Sequence, residues 1–282
     1  MTHALIRSTV AVVLVLVLAL RAAGDEAEDR IVLNQALGLG PLLEIMQAEG
    51  EEFGAGLGQN FLPGGGGAAW QRVVTRIYDP EKMSQVVERG LRAELEARHL
   101  PDLLEFFHSA RGKRIVEHEI AARRAFLDSA IEDAAKAAYR EAKESESGGQ
   151  QQDRRLALIR SYVEANDLIG FNVAGALNSN LRFYQGMVEG GGLDMSDAEM
   201  VDEVWAQEEE TRADTEEWMM SYLMLAYSDL SDADVSAYAT FSETPAGHAL
   251  NRALFAGFDR MYGDISYALG LALAAQMKGE DL

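Results

Sequence analysis

The chain has 282 residues, of which 46 are acidic and 25 basic, and no cysteine. A net charge of −21 opposes unspecific binding to nucleic acid or anionic lipid, because like charges repel. The missing thiols exclude disulfides, thiolate metal sites and cysteine nucleophiles.

In chain order, residues 1–24 read as a secretory signal. Arg7 sits in a short polar start, an apolar run covers Val10 to Leu20, and Ala22 and Gly24 fit the −3 and −1 positions of a cleavage site. Export to the periplasm follows as the expectation. No later apolar run reaches the ~18 residues of a membrane-spanning helix, so no span is expected in the mature chain.

Asp79-Pro80-Glu81 places a cap before a first-turn proline, and Met83, Val86, Val87 and Leu91 recur at helical spacing, predicting a helix from Pro80 to His99. Phe106, Ser109 and Gly112 form an F-x-x-S-x-x-G pattern. Lys143 to Asp153 is polar, contains Gly148-Gly149 and reads as a linker. The apolar positions Leu156, Ile159, Val163 and Phe171 predict one long helix from about Asp153 to Met187. Ser196 and Glu199 make a capping box. Phe241, Thr244, Pro245 and Gly247 repeat the earlier pattern as F-x-x-T-P-x-G, 135 residues on. A last helix is predicted from Pro245 to Met277. Five to ten helices and no sheet are expected.

The repeated pattern is the clearest sign of organisation. Gly64 to Gly66 precedes the first copy as Gly190 to Gly192 precedes the second, and Leu42-Leu43 pairs with Leu168-Ile169, both 126 residues apart. The expected architecture is an all-α helical bundle built from two tandemly duplicated halves, 25–147 and 148–282. They differ in charge: 15 basic against 23 acidic side chains in the first, 8 against 23 in the second. In each pattern the Ser or Thr hydroxyl is a helix N-cap worth about 1 kcal/mol. The glycine falls in the first turn, where it costs up to ~1 kcal/mol against alanine. A costly residue used twice predicts a close approach by another helix.

The segments FFHSARGKR and FSETPAGHA resemble two copies of the F-Y-x-S-P-x-G-x-K signature of a bacterial family, the domain of unknown function numbered twenty fifty-nine. The first copy has Phe107 for Tyr, Ala110 for Pro and Arg114 for Lys; the second has Ser242 for the aromatic and Ala249 for the terminal base. The resemblance implies an exported α-helical protein of the bacterial periplasm. It brings no catalytic residues with it.

The remaining candidates are weaker. Glu96 to His99 and Glu105 to His108 have the E-x-x-H spacing of di-iron helices, but both lie in one short segment without the further glutamates such a site needs. His118-Glu119 lacks the second histidine of a zinc protease, since Ala122 stands in its place. Gly64 to Gly67 has no Lys-Ser/Thr after it, so no nucleotide site is supported. No cofactor, metal site or catalytic group is assigned. Asn166 and Asn172 are candidates for lining a ligand groove. Arg111, Lys113 and Arg114 are candidates for docking an acidic partner, including the acidic second half. The function expected is non-enzymatic binding or envelope support through protein contacts with a partner not named by the sequence. A carrier of an apolar small molecule or lipid is the alternative, and an envelope hydrolase is the least supported reading.

Overall fold

Helix starts follow the cap chemistry. The Asp79 carboxylate accepts the Glu81 and Lys82 amides at 2.9 and 3.2 Å, Ser109 accepts Gly112, Ser196 closes its box with Glu199, and Thr244 accepts Gly247. The computed structural model describes residues 26–147 and 154–279, and every α or 3-10 element there is a helix, with no strand among the described residues. The all-α expectation therefore holds, with more helices than expected. The segment expected to be a secretory signal, residues 1–24, and residues 148–153 of the expected linker lie outside the described residues.

The elements are α1 (26–36), α2 (Leu39–Phe61), α3 (Gly67–Ile77), α4 (Pro80–Glu94), α5 (Leu100–His108), α6 (Ala110–Ala125), α7 (Ser129–Ser147), α8 (Arg154–Ala165), α9 (Leu168–Glu189), α10 (Asp197–Trp205), α11 (Glu208–Ala226), α12 (Asp232–Ser242) and α13 (Pro245–Met277). Two predicted helices are shorter than expected. The one begun at Pro80 stops at Glu94, where Leu95 and Glu96 turn extended before a 3-10 turn over Ala97–His99. The one expected from 153 to 187 breaks at Asp167, whose φ of 47° is left-handed. Asn and Asp tolerate that conformation, so a break there leaves the apolar spacing on either side intact. The predicted linker begins late, because α7 runs through Lys143 to Ser147.

Helix α13 is the spine. Its first half crosses α4, where Gly90 and Gly257 let the backbones touch. Its second half lies along α9, where Gly186 faces the Tyr267 carbonyl and Gly270 faces the Phe183 carbonyl. A side chain at any of these four positions would push the helices apart. The largest core gathers Leu33, Leu43, Trp70, Val87, Leu103 and Phe107 with Leu250, Ala253, Met261, Leu269 and Leu273, so residues from both sides of the linker share one interior. A second core packs Ile115 and Tyr139 with Leu156, Ile159, Met220, Leu223 and Tyr227. Among the described residues no helix is long and apolar enough to cross a membrane.

Candidate binding cleft

The two F-x-x-S/T-x-x-G corners meet at the centre. Ser109 Oγ accepts the Gly112 amide at 3.0 Å and donates to the Phe106 carbonyl at 2.6 Å. Thr244 Oγ1 accepts the Gly247 amide at 3.1 Å and donates to the Phe241 carbonyl at 2.7 Å. The Phe106 and Phe241 rings stack at 3.9 Å and 8°, and Phe107 meets both edge-on. The close approach expected of another helix is made by the end of the helix before each corner. A Cβ on Gly112 would strike the Phe106 carbonyl, and one on Gly247 the Phe241 and Ser242 carbonyls. Pro245 is exposed and starts α13.

From this stack an aromatic chain runs through Tyr238, Tyr162 and Tyr227 to Glu119 on α6. Tyr227 donates to the Glu119 carboxylate at 2.6 Å, and Tyr222 donates to the Glu119 backbone carbonyl at 3.0 Å. Burial pushes the Glu119 carboxyl up to about 7, partly offset by the Tyr227 hydrogen bond.

The basic candidates divide. Arg111 and Arg114 both reach Asp234 on α12, at 2.9 and 3.2 Å, so their acidic partner is the second half of the same chain. The Arg111 and Ser231 hydrogen bonds, with Arg114 adding to them, hold the Asp234 carboxyl down near 2. Lys113 is exposed. Asn166 is buried at 4% exposure. Its amide donates to the Tyr162 carbonyl and to Ser242 Oγ, its own carbonyl accepts from Asn251, and its Oδ1 has no partner. Asn172 is half-buried and bonds back to Leu168 within α9. Both asparagines act inside the bundle and neither lines the clefts described next.

A cleft of about 380 Å³ opens where α2, the α6–α7 break and α11 meet. Its lining is Glu49, Glu52 and Phe53 from α2, Arg123, Phe126 and Leu127 from the end of α6, Glu132 from α7 and Trp218 from α11. Its floor is fixed. Arg123 forks onto Glu49 at 2.7 and 2.6 Å, and its guanidinium lies 4.6 Å from the Trp218 ring centroid. Burial works most strongly against the Arg123 charge, but the Glu49 hydrogen bonds together with the nearby Tyr262, Glu49 and Tyr222 charges outweigh it and raise its pKa. The other face of Trp218 stacks on Tyr222 at 5.2 Å. The walls are exposed: Phe53 is 56% accessible and Leu127 39%. A second cleft, about 520 Å³, is lined by Arg182, Glu189, Asp197, Met200 and Tyr267. There Arg182 lies over the Tyr267 ring and Tyr267 donates to Glu189.

Of the first cleft's lining the sequence points only to Arg123, which stands in the basic cluster with Arg124, and to Trp218, which reads as core. Phe53 follows Glu51-Glu52 on a glycine-rich helix and reads as a core residue by type; only the direction of α7 leaves it open. Among the described residues no group of three or more His, Asp or Glu could hold a metal ion. His99 lies in a 3-10 turn beside Arg98, so Glu96 and His99 do not share an α-helical face. Comparison with protein-family models, with curated proteins and with solved structures finds no match.

Proposed function

We propose that this is an exported, periplasmic protein that acts without catalysis, by docking another protein at its surface. The observation that carries the reading is the α2–α7 cleft. A rigid floor of Arg123, Glu49 and Trp218 sits under exposed Phe53 and Leu127. Preformed concavity and exposed bulky apolar groups are what protein interfaces are built from. Export rests on the signal-like residues 1–24 and on the resemblance of the two corners to the exported helical family.

Tandem duplication is part of the same proposal. Beyond the corners, Arg30 donates to the Leu95 carbonyl after α4, and Arg155 donates to the Tyr227 and Leu230 carbonyls after α11. A left-handed residue, Gly38 or Asp167, precedes each long helix α2 and α9. By these helix starts the halves are offset by 129 residues at Leu39 and Leu168, close to the 126 suggested by the glycine triplets.

Native mass spectrometry on protein isolated gently from the periplasm after reversible crosslinking tests the reading. A mature chain starting near Asp25, with a discrete protein adduct, is expected. An unprocessed chain would refute export. A stoichiometric lipid or metabolite on an otherwise solitary chain would replace protein docking with the carrier reading.

A further inference from the structure

On the duplication proposed above, α2 and α7 correspond in sequence to α9 and the end of α13, but they pack differently. In the second half the pair is closed, with Gly186 and Gly190 against Tyr267, Leu271 and Ala274. In the first half the chain breaks between Ala125 and Ser129, and Asp128 caps the new helix by accepting the Ala130 amide at 2.9 Å. Helix α7 is then drawn onto α11 by Tyr139 and Lys143 on Glu216 and by Arg140 on Glu217. The flank of α2 that a helix would cover stays open, with Phe53 and Phe61 at 56% and 51% exposure.

The charge of that opening selects what can enter. Three carboxylates line it: Glu49, Glu52 and Glu132. Arg123 neutralises Glu49, and Lys136 pairs with Glu132 at 2.7 Å. Glu52 is exposed with no ion pair among the described residues, on a chain of net charge −21. A ligand that brings a lysine or arginine beside a bulky apolar side chain satisfies Glu52 and covers Phe53 and Leu127 together. The cleft is too small for a whole helix and large enough for the anchoring side chains of one lying across it.

We infer that the α2–α7 cleft docks a cationic amphipathic helix of a partner protein, with its apolar side chains between Phe53 and Leu127 and a basic side chain at Glu52. This rests on the reading of the protein as a docking module and names the partner's chemistry. Fluorescence anisotropy tests it on the full mature chain. The probes are a labelled synthetic Leu/Lys amphipathic helix of about four turns and a twin with Glu for every Lys. The Leu/Lys helix is expected to bind one to one and to weaken with salt. Phe53→Asp and Glu52→Lys each weaken it about tenfold or more, while Trp205→Asp, at another exposed site, leaves it unchanged. Unchanged thermal melts show that the variants fold. Equal binding of the Glu twin, or equal losses at Trp205, overturns the inference. So does a chain that dimerises alone and becomes monomeric in Phe53→Asp, because the occupant is then a second copy. A protein adduct in the native mass experiment together with failure here would leave the docking reading standing and remove only this cleft and this partner class.

Discussion

At the scale of single residues, the corners show how local chemistry reaches into the core. Ser109 and Thr244 each satisfy one amide of the helix that follows and one carbonyl of the helix before it. Ser109→Ala and Thr244→Ala are each expected to lower stability by about 1 kcal/mol in urea melts. Gly112→Ala and Gly247→Ala meet backbone carbonyls that cannot move aside, and are expected to cost at least about 2 kcal/mol. Gly56→Ala on α2 is the control: a Cβ there meets open space, so stability should rise by about 0.5–1 kcal/mol. The corner was legible because caps are written in adjacent residues. Which backbone crowded the glycine was not, because the clash involves carbonyls, which every residue carries.

Glu119 is a residue-scale case with a sign to work out. Its carboxyl stands near 7 in the folded chain against an ordinary 4.5, so between those values the folded state holds more protons than the unfolded one. Its contribution is therefore fully present below about 4.5 and is lost as pH rises through 7, by up to about 3 kcal/mol. The pH dependence of stability in wild type minus that in Glu119→Gln should fall across this window. A difference that stays flat would contradict the placement of the Glu119 carboxyl against Tyr227.

At the scale of elements, helix identity was written in capping and periodicity, and helix ends were not. Asp79-Pro80, Ser196 with Glu199 and Thr244-Pro245 all mark true starts. The break at Asn166-Asp167 escaped because Leu156, Ile159 and Val163 before it and Val173 and Leu177 after it remain apolar at helical spacing. The glycines of α9 and α13 look like helix weakeners in the sequence, yet they set how close the two helices lie. Gly186→Leu or Gly270→Leu wedges the pair apart, and thermal melts should show a loss of about 3 kcal/mol or more. The direction of α7 was equally hidden: buried Tyr139 packs into the second core with Met220 and Leu223, and ion pairs with Glu216 and Glu217 add a little, all about 75 residues further along the chain. That direction is what opens the cleft, so the candidate site was the least legible feature of all.

At the scale of the whole molecule, the two halves lean on each other. Phe106 stacks on Phe241, Arg111 and Arg114 clasp Asp234, and α13 fills the core under α4. Residues 26–147 expressed alone would expose Leu103, Phe107 and Val87 to water, and residues 148–279 would expose Leu250, Ala253 and Met261. Each half alone should lack a cooperative melt, and co-expression should restore one.

On the proposed reading, the surface between α2 and α7 is where this protein meets another. The most direct measurement is photo-crosslinking in living cells with benzoylphenylalanine at Phe53, Leu127 or Trp205, one position at a time. Phe53 and Leu127 should give the same protein adduct, and Trp205, though 65% exposed, should give none. An adduct from Trp205 alone, or none from either cleft position, would contradict the account.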